Sequence, residues 1–436
     1  MEIDQIKEKV CSVIEEHADD IMGHAKWLAE NPELGFREKK SSKYIDDELH
    51  KLGFETETGL AVTGVKAYLK GKGAKGPNVA VLGEMDALIC NSHPTADPET
   101  GAAHACGHNV QVASMLGVAT GLSLAGILPE IGGNVTFFAV PAEEYIEIDK
   151  RMRMRDTGEI HFLGGKQELI YRGCFDDVEM AMMIHTEGNK PEPSIAVGET
   201  SNGFIGKTIR YIGKEAHAAA SPHEGINALN AAMLGLMGIH ALRETFIDED
   251  HIRVHPIITR GGDTVNNVPA DVRLETYVRA KTMESIEATH LKVDRALRAG
   301  GDAIGAETHI RTIPGYLPLV CSKDLNALFM DNSRQIFPEG ATSNSGHFAA
   351  STDMGDLSHL IPCIHPFVGG TEGSLHSEDF KVKDPYAAII MPAKAMAMTL
   401  VDILANGAER GNGIISQFKP VMSRTEYIRK LDGYFS

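Results

Sequence analysis

A chain of 436 residues is longer than one hydrophobic core usually supports, so two domains are the starting expectation. Apolar residues at 43% and charged residues at 23% are the proportions of a folded globular protein, which excludes a largely disordered chain. The formal charge of −18 excludes a phosphate-tracking surface and, with it, a nucleic-acid partner.

The start, Met1-Glu2-Ile3-Asp4, carries acids where a signal peptide needs a basic segment followed by an apolar one, and a cytoplasmic protein is expected. Apolar residues recur at helical spacing through Ile3, Ile6, Val10 and Ile14, so residues 3–53 read as helices ending at Leu52-Gly53. Two strands follow, Val65 to Leu69 and Val79 to Leu82. The joint between them, Lys70-Gly71-Lys72-Gly73-Ala74-Lys75-Gly76-Pro77, matches GxGxxG. A dinucleotide site needs those glycines to open a helix, whereas Pro77 leads into another strand, so nucleotide binding is not expected.

A helix is expected from about Asn109. It falls in the longest low-charge run, Val110 to Leu128, whose Gln111, Ser114, Thr120 and Ser123 favour a buried helix over a membrane span. Strands follow at Asn134 to Val140 and near Met180 to Ile184, and this alternation predicts an α/β core. In residues 194–313 the character shifts. Gly206 to Gly213 and Val272 to Ala280 read as strands, with helices near Asn227 to Glu244 and Glu284 to Ala299, and a second, smaller α/β domain is expected there. Residues 1–193 and 314–436 then form the main domain from both chain ends, with a last apolar helix near Tyr386 to Leu404.

The cysteines (11, 90, 106, 174, 321 and 363) have no close pairs and do not form a disulfide framework. One of them lies in His104-Ala105-Cys106-Gly107-His108-Asn109, where a thiol and imidazoles gather before a helix. Cys and His are preferred ligands for zinc and related ions; a helix entry with a buried Cys also fits. The strand Asn134 to Val140 ends at Pro141-Ala142-Glu143-Glu144. If extended geometry continues, those carboxylates point to opposite sides, one to bind metal and one to act as base; an acidic loop is the plain alternative. His185 ends the apolar run from Met180, and His376 lies in Gly373-Ser374-Leu375-His376-Ser377-Glu378.

The sequence resembles the M20 family of metallopeptidases and aminoacylases, in particular its amidohydrolase branch of aminobenzoyl-glutamate and indole-acetyl-amino-acid hydrolases. The matching segments keep their order: Asn31-Pro32-Glu33-Leu34-Gly35-Phe36, Gly83-Glu84-Met85-Asp86-Ala87-Leu88, the Cys-Gly-His-Asn stretch, Glu143-Glu144, Ala216-His217-Ala218, Asn267-Val268-Pro269, Ser351-Thr352-Asp353-Met354-Gly355-Asp356 and His376-Ser377. The fold this implies is a two-domain α/β metallohydrolase with a mixed-sheet core and an inserted smaller α/β lid and dimerisation domain. The resemblance implies two divalent ions, Zn²⁺ or Mn²⁺, held by Cys106, His108, Glu144, His185 and His376. Glu143 would be the general acid/base, and Asp86 the carboxylate that orients a ligand. It also implies a homodimer in which His217 and Asn267 stabilise the reacting carbonyl oxygen, the histidine reaching the partner's site. Arg279 would receive a substrate carboxylate, with a surface or interdomain salt bridge as the alternative.

The implied reaction is hydrolysis of an amide bond in an N-acyl amino acid, an aminobenzoyl-glutamate-like compound or a dipeptide. A catalytically silent relative acting as a binding protein is one competing reading. A Ser or Cys hydrolase is another, although the sequence has no GxSxG elbow. Three departures stand out. Glu84 is where many relatives have Asp or a ligand His, Asn109 replaces a common Asp, and Tyr145 to Gln167, with its basic run from Lys150 to Arg155, is longer than the Gly-rich connection of relatives.

Overall fold

The computed structural model describes residues 1–73 and 75–435. Cα packing divides the chain into two compact units. The first holds Met1–Glu199, Val320–His347 and Asp356–Arg424, and the second holds Thr200–Leu319, Phe348–Gly355 and the segment from Thr425 on.

The first unit is built on a six-stranded sheet in the order Thr56–Leu60, Gly64–Lys70, Asn134–Val140, Asn78–Glu84, Met180–Met182, Cys363–Ile364. The first three strands pair antiparallel and the rest run parallel, so the sheet is mixed. Strand Asn78–Glu84 (NVAVLGE) is buried along its whole length, as expected of a central parallel strand covered on both faces. Thr56–Leu60 was not foreseen, because TETGL carries little apolar signal and lies at the exposed sheet edge.

The helix expected from Asn109 spans His108–Leu124 and is buried nearly all round. It lies so close to the sheet that a Cβ on Gly83 would come within 2.9 Å of the Val112 Cα. The amphipathic helices Ile3–Glu16 and Ala18–Glu30 cover its other side, with Ile14 and Ile21 against Gly121 and Gly117. The joint from Lys70 leads into strand Asn78–Glu84 rather than a helix; its Ala74 lies outside the described residues.

Among the described residues, one helical stretch, Tyr386–Leu404, is long and apolar enough to cross a membrane, and 94% of its most apolar window is buried in the protein. It begins as a π-helical turn, Tyr386–Ile390, and continues as Met391–Leu404. It is the last apolar helix, as expected, and more polar ones come after it. Glu409–Gln417 and Arg424–Asp432 follow, two short helices of polar sequence.

The second unit is a four-stranded antiparallel sheet ordered Arg253–Arg260, Asp271–Ala280, Gly203–Ile212, Glu307–Pro314, covered by helices Ala228–Leu242 and Met283–Ile304. Alternate residues of Asp271–Ala280 are buried, the period of a strand with one covered face. Asn227 caps the first helix by accepting from Leu229 and Asn230, and Thr282 caps the second by accepting from Ser285. Lys430 Nζ donates to Glu287 Oε1 over 2.7 Å, which ties the chain end to this unit.

Candidate metal centre

Parallel strands deliver their C-terminal ends to one place in the first unit. In register, Glu84 pairs with Val140 and Val81 with Met182, so the segments leaving Asn78–Glu84, Asn134–Val140 and Met180–Met182 emerge side by side. These exits carry Glu84 and Asp86, Glu143 and Glu144, and His185. Open α/β sheets place their ligands at such strand ends.

Cys106 arrives on the loop before the buried helix, and His108 is the first residue of that helix. Gly107 between them takes φ +84° at the N-cap, and a Cβ there would lie 2.3 Å from Thr186 Oγ1. That hydroxyl donates to the Cys106 carbonyl over 2.8 Å, while His376, itself at φ +62°, donates its backbone N–H to the Ala105 carbonyl over 2.8 Å. The cysteine loop is therefore clamped from both sides. Gly107→Ala combines left-handed strain with a clash against a hydroxyl already in use. It should cost about 2–5 kcal/mol in urea unfolding of the chelated protein; an unchanged midpoint would show that the clamp gives way freely.

The donor atoms gather in three overlapping groups: Cys106, His108 and His185; Cys106, Glu144 and His376; and Glu84, His108 and Glu143. Within each group they lie within 4.8 Å of one another. Cys106 Sγ is 3.4 Å from His185 Nε2 and 3.3 Å from His376 Nε2. His376 Nε2 is 3.2 Å from Glu144 Oε1, and His108 Nε2 is 3.1 Å from Glu84 Oε2 and 3.9 Å from Glu143 Oε2. All five sequence-nominated ligands thus come together, with Glu143 beside them.

The imidazoles are pre-oriented. His108 Nδ1 contacts the Asp86 carbonyl at 2.8 Å and its carboxylate at 3.3 Å, and His185 Nδ1 contacts the Thr186 carbonyl at 2.7 Å; both leave Nε2 to the site. Asp86 also accepts the Glu144 backbone N–H over 2.9 Å. The glutamates do not separate by strand alternation: the strand ends at Val140, and Ala142 turns left-handed at φ +53°.

Charge in the cluster is dominated by its anions. Burial and the Glu144 charge push the Cys106 thiol up, but His185 and His108 overcome them and bring it down to about 6. Burial raises Cys11 to about 11 despite Lys394 and Lys7, and raises Cys321 to about 12. Burial raises Glu144 and Glu84, but His376 wins at the first, and Lys166 with His108 at the second, holding each near about 2. Glu144 lifts His376 to about 11, and Glu84 and Cys106 raise His108 against its burial. Protons on imidazoles offset a surplus of negative charge, a role a divalent cation takes over on binding. His108 Nε2 and Glu144 Oε1 are buried and meet Glu84 and His376 as close ion pairs without hydrogen-bond alignment. The donor set of thiolate, imidazole and carboxylate suits such an ion.

A model of peptidase family M20/M25/M40 matches residues 80–401. The chain belongs to that family. This M20 chain is 29% identical to an Xaa-Arg dipeptidase of Mus musculus over 96% of its own length and 93% of the relative's. It is 28% identical to one subunit of the p-aminobenzoyl-glutamate hydrolase of Escherichia coli (strain K12), covering 88% of each. Among solved structures it resembles a dinuclear metal binding peptidase from the M20 family of Bacillus subtilis, with a TM-score of 0.67 at 22% identity over 89% of this chain and 99% of that one. The aminobenzoyl-glutamate utilization protein of Klebsiella pneumoniae gives a TM-score of 0.65 at 16% identity over 92% and 98%. These structural likenesses establish a shared two-domain fold.

The M20 centre also uses residues that sequence reasoning passed over. Lys166 is fully buried and donates to Glu84 Oε1 over 2.5 Å, while Gln111 Nε2 donates to Glu84 Oε2 over 2.9 Å. Lys166 belongs to the long segment that departs from the family pattern, outside the basic run Lys150 to Arg155 that drew notice there. His365, buried 5.5 Å from the His185 ring, gave no signal beyond being a lone histidine.

In the second unit, His217 and Asn267 are cross-strand neighbours, and both are exposed. His217 Nδ1 accepts from the backbone of Ala219 and Ala220 over 3.2 and 3.1 Å, so Nε2 carries the proton. Arg279 donates to Ser351 Oγ over 2.8 Å and lies over the rings of Phe204 and Tyr277.

Proposed function

We propose that this M20 hydrolase cleaves the amide bond of a small N-acyl amino acid, aminobenzoyl-glutamate-like compound or dipeptide, at two divalent ions, Zn²⁺ or Mn²⁺. The ions would be held by Cys106, His108, Glu144, His185 and His376. The observation that carries the reading is that Cys106 belongs both to the group with His108 and His185 and to the group with Glu144 and His376. One thiolate serving two donor groups suits a pair of ions side by side. The names of the mouse and Escherichia coli relatives support the substrate class.

Bound ions supply Lewis acidity, which acidifies water and polarises a carbonyl. Glu143 accepts the proton of the attacking water and returns it to the departing amine, acting first as base and then as acid. Asp86 keeps His108 in the tautomer that presents Nε2. His217, through its Nε2 proton, and Asn267 donate to the carbonyl oxygen as charge develops on it. Arg279 receives the carboxylate of the amine-side product.

The second unit is read as lid and dimerisation domain of a homodimer, with His217 completing the partner's site. Exposed Met233, Leu234 and Met237 on helix Ala228–Leu242, and Ile257 and Ile258 on the edge strand, support a subunit contact there. Six free thiols fit the reducing cytoplasm.

Dialysis against a strong chelator should abolish hydrolysis of N-acyl amino acids, aminobenzoyl-glutamate and dipeptides, including those ending in Arg. Added Zn²⁺ or Mn²⁺ should restore it with two ions bound per chain. Hydrolysis persisting in metal-free protein would reject the reading.

A further inference from the structure

The turn that aims Glu143 is conformationally expensive. Ala142 is fully buried and takes φ +53°, a region that costs an L-residue about 1–2 kcal/mol and persists only where neighbours enforce it. Two buried carboxylates brace the backbone on either side of Glu143. Glu38 Oε1 accepts the Ala142 N–H over 2.9 Å, and Asp86 Oδ2 accepts the Glu144 N–H over 2.9 Å. On its other face, the Ala142 carbonyl accepts the Gly165 N–H over 2.9 Å. Gly35 makes room for the turn, since a Cβ there would come within 2.9 Å of the Ala142 Cα.

Glu38 is completely buried, and its second oxygen accepts the Thr63 hydroxyl over 2.7 Å. A carboxylate with no exposure is costly unless it is hydrogen-bonded, and both of its oxygens are. Burial and the nearby Asp86 push it up to about 7, so it occupies this place against its own solvation preference. Its element, the start of helix Lys39–Lys51, is far in sequence from every metal-ligand candidate.

We propose that Glu38 is a positioning residue for Glu143: it pins the left-handed turn at Ala142 from which the general base projects. The inference rests on Glu143 being that base. What matters is the reach of the side chain, because the bond to Ala142 depends on an oxygen at that distance.

Two substitutions separate reach from charge. Glu38→Gln keeps the length and an accepting oxygen; its kcat should stay within about threefold of wild type. Glu38→Asp keeps the charge but withdraws the oxygen by one methylene. Its kcat should fall roughly 10- to 100-fold, with KM and bound metal nearly unchanged, since small misplacements of a catalytic group carry losses of this order. Ala142→Gly removes the steric penalty of positive φ, so in the double variant with Glu38→Asp much of the lost kcat should return. Wild-type kcat in Glu38→Asp overturns the proposal, as does a Glu38→Gln defect as large as that of Asp, or losses in the double variant that simply multiply. Glu143→Gln measured alongside keeps the failures distinct: if it stays active, the base assignment is wrong. If it is dead while Glu38→Asp is not, only the positioning role is wrong.

Discussion

Replacing Glu143 with Gln should lower kcat on the order of 10³-fold or more while leaving metal content intact. A general acid or base contributes about 10²–10⁴-fold, and this carboxylate is assigned both duties in one turnover. Gln keeps the volume and hydrogen-bonding shape, so the change isolates proton transfer. At about 1.36 kcal/mol per decade, the loss amounts to roughly 4 kcal/mol of transition-state stabilisation. Steady-state kinetics with metal analysis on the same sample checks it. Near-normal kcat, or loss of metal together with activity, would show that Glu143 is not the proton carrier, the second result making it a ligand of the group it shares with Glu84 and His108.

Replacing Cys106 with Ala should weaken binding of both ions by more than roughly 10²-fold. Losing even an outer partner of a ligand costs about 10–100-fold in metal affinity, and here a donor common to two groups is removed. The thiol is brought down to about 6, so it is already a thiolate at neutral pH. Competition titration with a chromophoric chelator gives stoichiometry and affinity together. Cys321→Ala is the control: its thiol is raised to about 12 by burial, and the variant should bind ions as wild type does. Two ions held at unchanged affinity by the Cys106→Ala protein would remove the thiolate from the centre.

Much of the first unit was legible because its central elements are strongly patterned. Asn134–Val140 was bounded to the residue, and the all-round burial of His108–Leu124 followed from its low-charge composition. The grouping of the candidate ligands was legible because Cys and His are rare enough to stand out when they lie close together, and their order matched a family. Thr56–Leu60, Arg253–Arg260 and Glu307–Pro314 were not foreseen; exposed or half-exposed strands alternate weakly, and Pro256 interrupts the second. The turn at Ala142 was also illegible, since alanine carries no signature of positive φ and the strand was expected to run on. Glu38 and Lys166 were missed for a related reason. A charged residue in a helix entry or a basic segment reads as solvated until tertiary contacts bury it.

The ion pair between Lys166 and Glu84 has a consequence for loop length. The cation is carried by the long stretch after Glu144, and its anionic partner by a core strand, with both side chains at most 1% exposed. Trimming that stretch to a short glycine connection would take the lysine from this interior carboxylate and leave it to Gln111 and His108, at a penalty of several kcal/mol. A change that shortens it is therefore expected to need a compensating change at position 84, which ties the tolerated length of the distant loop to the charge on the strand.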